Sequence, residues 1–403
     1  MIPVEEALER ILAGVSVLPA EQVSVAHGLG RVLAEDVKAR RCQPPTAVSA
    51  MDGYAVHAAD VASVPATLRQ VGSVPAGQAY PHVLKRGETV RIFTGAALPE
   101  GADTIVIQEN ARAQGERITV EETAAPGRHV RAAGLDFKPG ETGLVAGRIL
   151  TARDVGFAAA MNVPWLAVRR RPRIAILPTG DEIVMPGDPV GPNQIVSSNS
   201  LALAAFVTAC GGEPVLLGVA PDTTEGLRAV AAGARGADLL LTTGGASVGE
   251  HDLVRDALAK DGLVLDFWRV AMRPGKPLLF GRLHDVPVLG LPGNPVSAFV
   301  CAVLFLKPAI EKMLGIERAA ARETALIAVD LKENDRRQDY LRAELNYDAQ
   351  GALVATPFKL QDSSMMSVLA RAQCLVVRPP FAPAAKAGSR VEIVRLSGGI
   401  FGI

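Results

Sequence analysis

Apolar positions along the chain change their period several times, and the changes mark four textures. In MIPVEEALERILAG, Val4, Leu8, Ile11 and Leu12 recur at helical spacing, which predicts an amphipathic helix; a strand-like GRVLAEDV follows. Residues 54–140 are rich in Val, Thr, Gly and Pro, with alternating runs such as TVRIF and ERITVEE, which predict a small β unit. The chain then returns through a helix-compatible TARDVGFAAAMN that ends at Pro164. Residues 1–53 plus 141–170 therefore read as one helical linker unit with the β unit 54–140 inserted in it.

From about 171 the runs RIAIL, VLLGVA, DLLLTT and VPVLGL are short and wholly aliphatic, with helical stretches at 198–210, 224–234, 250–260 and 295–312 between and after them. Alternating strands and helices predict βαβ units and a parallel sheet covered on both faces, over 171–318. Beyond that, ALIAVDL, YLRAEL, ALVATP, CLVVRP and VEIVRL read as five strands of a compact barrel or sandwich over 319–403. The fold class is α/β and multidomain, and a chain of 403 residues has length for two to four domains.

Composition narrows the function. Lys plus Arg (42) balance Asp plus Glu (42), so there is no basic field for nucleic acid or an anionic membrane. Hydrophobic residues at 49% argue against disorder, and aromatics at 4% leave the cores aliphatic. Glu5 and Glu6 follow the first residues with no basic n-region, unlike a secretory signal. The apolar stretches LALAAFVTAC and VSAFVCAVLFL fall short of the roughly 20 residues a bilayer span needs. Cys42, Cys210, Cys301 and Cys374 are far apart with no CxxC, as expected of reduced thiols in a cytoplasmic protein rather than a zinc or disulfide site.

Candidate chemistry lies in loops at the carboxyl ends of the predicted strands, where open parallel sheets bind ligands. RIAIL runs into PTGDEI, DLLLT into TGGASVGEHD, and VPVLG into LPGNPVSA. Three glycine-bearing strand-to-helix turns on one sheet gather backbone N–H groups and helix N-termini, an arrangement suited to phosphate. Singly, TGGAS also reads as a tight turn capped by Ser247, and LPGNP as a proline-led helix start. Asp181, Glu182, Glu250 and Asp252 add carboxylates, which beside a phosphate call for a counter-ion such as Mg²⁺, or else simply face solvent. In AMRPGKPLLFG, prolines flank Arg273 and Lys276, either fixing two cations for a small oxyanion or leaving them as solvated turn charges.

SAMDGYA (49–55), FTGAALPEGADTIVIQE (93–109), LPTGDEI (177–183), TTGGASVGEHD (242–252), RPGKP (273–277) and GLPGNPVSA (290–298) occur in one order. Together they resemble the MoeA family of molybdopterin molybdenumtransferases, which includes the gephyrin E domain. The resemblance implies a helical linker domain, an inserted β domain, a parallel-sheet molybdopterin-binding (MogA-like) domain and a C-terminal β-barrel. It further implies a homodimer with its active site in a cleft between subunits, acting with a divalent cation, Mg²⁺. Such an enzyme inserts molybdate into adenylylated molybdopterin and releases AMP. Carried over by motif, Asp52 and Thr94 match residues that reach the site from the partner subunit, although Asp52-Gly53 alone reads as a turn. Asp136 holds the position of a Gly-x-Asp acid, in LDF where EDI is commoner. Glu182 and Asp252 match acids tied to metal and pterin phosphate, and Asp222 matches a further cleft acid. Gly244, Gly245 and Ser247 match a pterin cradle, with Pro292, Asn294 and Pro295 in the neighbouring loop. Arg273 (usually Lys), Lys276, Arg342 and Ser364 match a molybdate pocket, while the Asp362-Ser-Ser stretch also suits a helix cap. Competing readings are the related molybdopterin adenylyltransferase, a pterin carrier or scaffold, and tungstate in place of molybdate. The inserted β unit and the C-terminal strands favour the transferase. Transient contact with other proteins of cofactor biosynthesis is also implied.

Overall fold

The computed structural model describes residues 1–244, 253–317 and 323–396. Helix Val4–Ala13 buries Val4 and Ile11 of the predicted face, together with Ala7, while Leu8 and Leu12 are half-buried. It does so against Phe305, Ile310 and Phe280 of the α/β core rather than within the linker unit that the sequence assigned it to. Ile2 adds a parallel bridge to Val270 that holds the chain start on that core.

Residues from either side of the inserted β unit pack together. Strand Ala20–Ser24 pairs antiparallel with Trp165–Arg169, and helix Ala152–Ala160 opens with a capping box between Thr151 and Asp154. Leu33, Val37, Leu144, Leu150, Met161 and Leu166 form their shared core. GRVLAEDV is not one strand: single bridges Val32↔Ile149 and Leu33↔Val168 give way to a two-residue strand, Val37–Lys38. Glu35 and Asp36 interrupt its apolar run, and Asp36 instead accepts the backbone N–H of Ala146.

The inserted unit is a six-stranded sheet in which Gly53–Val56, next to the edge, lies between Glu88–Ile92 and Thr104–Ile107. A Cβ on Gly53 would fall 2.0 Å from the carbonyl oxygen of Val106, so only glycine fits beside Asp52.

In the α/β unit, strands Glu213–Leu216, Arg173–Pro178, Leu239–Thr243 and Val286–Leu291 run parallel in that spatial order. Ile174, Ala175, Ile176 and Leu177 are all fully buried because helices cover both faces, which explains the uninterrupted apolar runs. The sheet is mixed rather than wholly parallel. Strand Pro277–Leu283 lies antiparallel to Val286–Leu291, and Leu263–Arg269 antiparallel to Pro277–Leu283. Only His284 and Asp285 join the first pair, and so short a link can make only a hairpin.

The five C-terminal strands close into a barrel. Gln338–Tyr347 pairs with Leu353–Pro357 on one side and Cys374–Arg378 on the other, and Glu323–Ile327 and Arg390–Arg395 complete the ring. A short strand, Met272–Arg273, pairs parallel with Gln338–Asp339 and ties the barrel to the α/β unit.

Candidate functional site

The parallel register brings the strand ends level. Pro178 lies opposite Thr243, and Thr243 opposite Leu291, so the three loops that follow start side by side. They open onto a cleft of about 640 Å³. Of the residues picked out by sequence, Glu182, Gly244, Pro292, Asn294, Pro295 and Ser364 line it. Gly245, Ser247, Glu250 and Asp252 lie outside the described residues.

Glu182 folds back on its own turn. Gly180 has φ +136°, and a Cβ there would sit 2.6–2.8 Å from the Glu182 carboxylate. The N–H of Asp222 donates to Oδ1 of Asp181 (3.0 Å), drawing the 222 loop against the TGDE turn. Burial raises the Asp222 carboxyl above its ordinary range; the Asp181 N–H opposes this, and the charges of Asp181 and Glu182 add to it. Among the described residues, no three His, Cys, Asp or Glu side chains could together hold a metal ion. Among the described lining residues Glu182 is the one carboxylate, a donor set that fits Mg²⁺, an ion that takes one or two carboxylates and completes its shell with phosphate oxygens and water.

On the barrel side, Arg342 is 1% exposed. Its Nε donates to Oε1 of Gln361 (3.0 Å) and its Nη1 to the carbonyl of Asp362 (2.7 Å). Burial lowers its pKa from the ordinary value, with the Asp362 charge acting against that. Asp362 is itself engaged, accepting the N–H (2.8 Å) and the hydroxyl (2.6 Å) of Ser364, so the 362–364 segment is a tight turn at the cleft wall, not a helix cap. Asn294 donates to the Ser363 hydroxyl (3.0 Å), and Val296 N–H to the Ser363 carbonyl, which joins the LPGNP loop to the barrel.

Arg273 and Lys276 are not presented as a free pair. Arg273 forks onto Asp339, with Nε donating at 2.8 Å and Nη2 to the other oxygen, and it also meets Asp335 at 3.6 Å. These partners raise its pKa, the Asp339 hydrogen bonds first. The short strand pairing that places residue 273 beside Asp339 turns the guanidinium onto the barrel and away from the cleft lining. Lys276 is half-buried, has no ion pair among the described residues, and precedes the cleft-lining Pro277.

Asp52, Thr94 and Asp136 lie in and beside the inserted sheet, and none lines the cleft of this chain. Thr94 donates both its N–H and its hydroxyl to Oδ1 of Asp52, each at 2.8 Å, and these bonds hold the carboxyl below its ordinary range. Arg91, stacked on Tyr54 and Phe93, lowers it further. Asp136 is exposed, its N–H bonded to the carbonyl of Gln43.

The cleft also contains residues that sequence reasoning passed over: Thr179, Asn199 and Thr243 on its floor and Ile195 and Val196 at its edge. Thr179 is 3% exposed and its hydroxyl has no partner among the described residues. Thr179 and Thr243 lie inside the LPTGDEI and TTGGAS motifs, where the acids and glycines drew the reading, and Asn199 signals only through the SSN run at 197–199, which reads as a helix start and so conceals any second role.

Three family descriptions match the chain in series: MoeA N-terminal region (domain I and II) over residues 2–162, probable molybdopterin binding domain over 175–312, and MoeA C-terminal region (domain IV) over 324–396. A molybdopterin molybdenumtransferase of Nostoc is 38% identical across 79% of this chain and 75% of its own length. One from Haemophilus influenzae is 32% identical across 93% of both. A solved molybdopterin biosynthesis MoeA protein from Pyrococcus horikoshii superposes with a TM-score of 0.86 at 31% identity, covering 99% of this chain and all of that one.

Proposed function

Given a chain that belongs to the MoeA family, we propose that it inserts molybdate into adenylylated molybdopterin, with release of AMP. It acts in molybdenum cofactor biosynthesis as a transferase. The observation that carries the finer reading is convergence. Glu182, Gly244, Asn294 and Ser364 come from four distant segments and from two structural units, yet line one cleft of about 640 Å³.

Arg342 does not itself line the cleft; it is buried behind the 361–364 turn, where its N–H partners are an amide and a carbonyl, so its positive charge would act on an anion held at Ser364. Lys276 supplies a second cation, and together they suit molybdate. Arg273 contributes by fixing the barrel in place, because Asp339 already offsets its charge. The same cleft is lined by Glu182, with Asp181 and Asp222 nearby. Glu182, with Asp252, would hold Mg²⁺, which when bound offsets the negative charge of the phosphoanhydride. The backbone N–H groups of the strand-end loops would receive the phosphates. Water adds to the phosphoanhydride phosphorus and AMP leaves. Molybdate exchanges one oxo group, removed as water with the two thiol protons, for the two dithiolene sulfurs. The chain's part is positioning and fixed charge.

Asp52, Thr94 and Asp136 are exposed or part-exposed and stand outside their own cleft, which supports a homodimer in which each copy brings them to the other's. Four cysteines far apart in the chain with no CxxC pair favour a cytoplasmic setting, where transient contact with other cofactor-biosynthesis proteins would take place. No helix among the described residues is long and apolar enough to cross a membrane.

The test is AMP release from adenylylated molybdopterin with Mg²⁺ and varied molybdate. Release should depend on molybdate, and Lys276→Ala should raise the half-saturating molybdate concentration roughly tenfold or more, the range for losing one charge-assisted contact. Release that ignores molybdate would overturn the assignment.

A further inference from the structure

Asn199 is the first residue of helix Asn199–Ala209, whose Leu203 and Val207 are anchored in the main core. Its side-chain Nδ2 donates twice, to the Thr243 hydroxyl (2.9 Å) and to the carbonyl oxygen of Gly293 (2.7 Å). A backbone carbonyl only accepts, so the amide must place its nitrogen on that side and its orientation is fixed. Thr243 ends the strand that runs into Gly244, and Gly293 lies in the LPGNP loop; all three residues line the cleft. The two walls are in near contact, since a Cβ on Gly293 would sit 3.5 Å from Cα of Gly244.

We propose that Asn199 is a positioning residue for the pterin substrate, clamping the Thr243–Gly244 strand end to the 291–295 loop so that both walls present their backbone at a fixed spacing. The proposal rests on the functional reading above. Asn199 suits this task because it reaches both walls with one amide and is itself held by a helix packed into the core. The sheet already pairs Thr243 with Leu291, and the Asn199 amide carries that tie past the strand ends to Gly293, where the ladder no longer reaches. Losing the clamp leaves the strands and the helix intact but frees the loop spacing, so the effect falls on substrate binding more than on folding.

The experiment compares Asn199→Asp, which keeps the shape and removes both donors, with Asn199→Ala. KM and kcat for adenylylated molybdopterin are measured alongside equilibrium binding of that substrate and the thermal midpoint of the ligand-free protein. Both variants should raise KM and the dissociation constant roughly tenfold, the range for two weakened hydrogen bonds, with kcat altered much less. Unchanged KM and binding in either folded variant overturns the assignment. So does a loss of activity that tracks the unfolded fraction while KM holds, because that marks a purely structural role. A wild-type chain that binds no pterin overturns the functional reading and this assignment with it. A wild type that binds while Asn199→Asp binds equally well overturns this assignment alone.

Discussion

Gly180→Ala perturbs the cleft through a single contact. A Cβ at this position would meet the Glu182 carboxylate at 2.6–2.8 Å, well inside contact distance, while no backbone atom stands among its three nearest neighbours. The obstructing group is the far end of a flexible side chain, so the fold survives and the carboxylate swings away. The positive φ of +136° adds backbone strain of about 1–2 kcal/mol, because a side chain disfavours that region. Two effects are therefore expected: a modest loss of stability, and displacement of the one described acid that faces the cleft. The concentration of Mg²⁺ giving half-maximal AMP release should rise roughly tenfold, the lower range for disturbing a residue that orients a metal ligand. Because the functional effect passes through Glu182, it should be non-additive. On a Glu182→Gln background, Gly180→Ala should change the Mg²⁺ requirement by no more than about twofold. An equal decrement on both backgrounds, or none on the wild type, would refute the reasoning. The first result would mean that the turn itself, and not the carboxylate, controls the site; the second, that neither the turn nor the placement of the carboxylate limits Mg²⁺ use.

Thr179→Val replaces a buried hydroxyl that has no partner among the described residues, so denaturant unfolding should show unchanged stability or a gain of up to about 1 kcal/mol; a clear loss would mean that the hydroxyl is bonded. Asp154 caps helix Ala152–Ala160, and despite burial, which acts the other way, Arg148 and Thr151 hold its carboxyl below the ordinary range. Its contribution is therefore whole above the unfolded carboxylate pKa and fades as pH falls through the lower folded value. Asp154→Asn should cost about 1–2 kcal/mol at neutral pH, with the difference from wild type shrinking in acid; a pH-independent difference would contradict the charge argument. At molybdate too low to sustain Lys276→Ala, mixing it with Asp52→Ala should restore AMP release through mixed dimers that hold one intact cleft, and no recovery after subunit exchange would refute the shared site.

Much of this was legible where chemistry and local sequence coincide. The unbroken runs over Ile174–Leu177 and Leu239–Leu241 announce strands buried on both faces, because no polar residue has to reach water. The glycine and proline punctuation after each run marks the loops that line the cleft. What stayed hidden depends on distant partners. The guanidinium of Arg273 looks free in RPGKP, yet its acid, Asp339, is 66 residues further on. The hairpin at His284–Asp285 carries no glycine, and His284 takes φ 53° without a turn signal to announce it. Helix Val4–Ala13 shows its apolar face plainly, but the pattern says nothing of which core receives it. Asn199 looks like a helix start and is one; its hold on Gly293, 94 residues away, is a property of the fold.

The most direct measurement of the central claim is a single-turnover reaction of the protein with adenylylated molybdopterin, Mg²⁺ and molybdate, following AMP and molybdenum cofactor in the same sample. The account predicts that both appear at one rate, in equal amounts, and only when molybdate is present. AMP formed without cofactor, or pterin held tightly with no AMP released under any oxyanion, would contradict it.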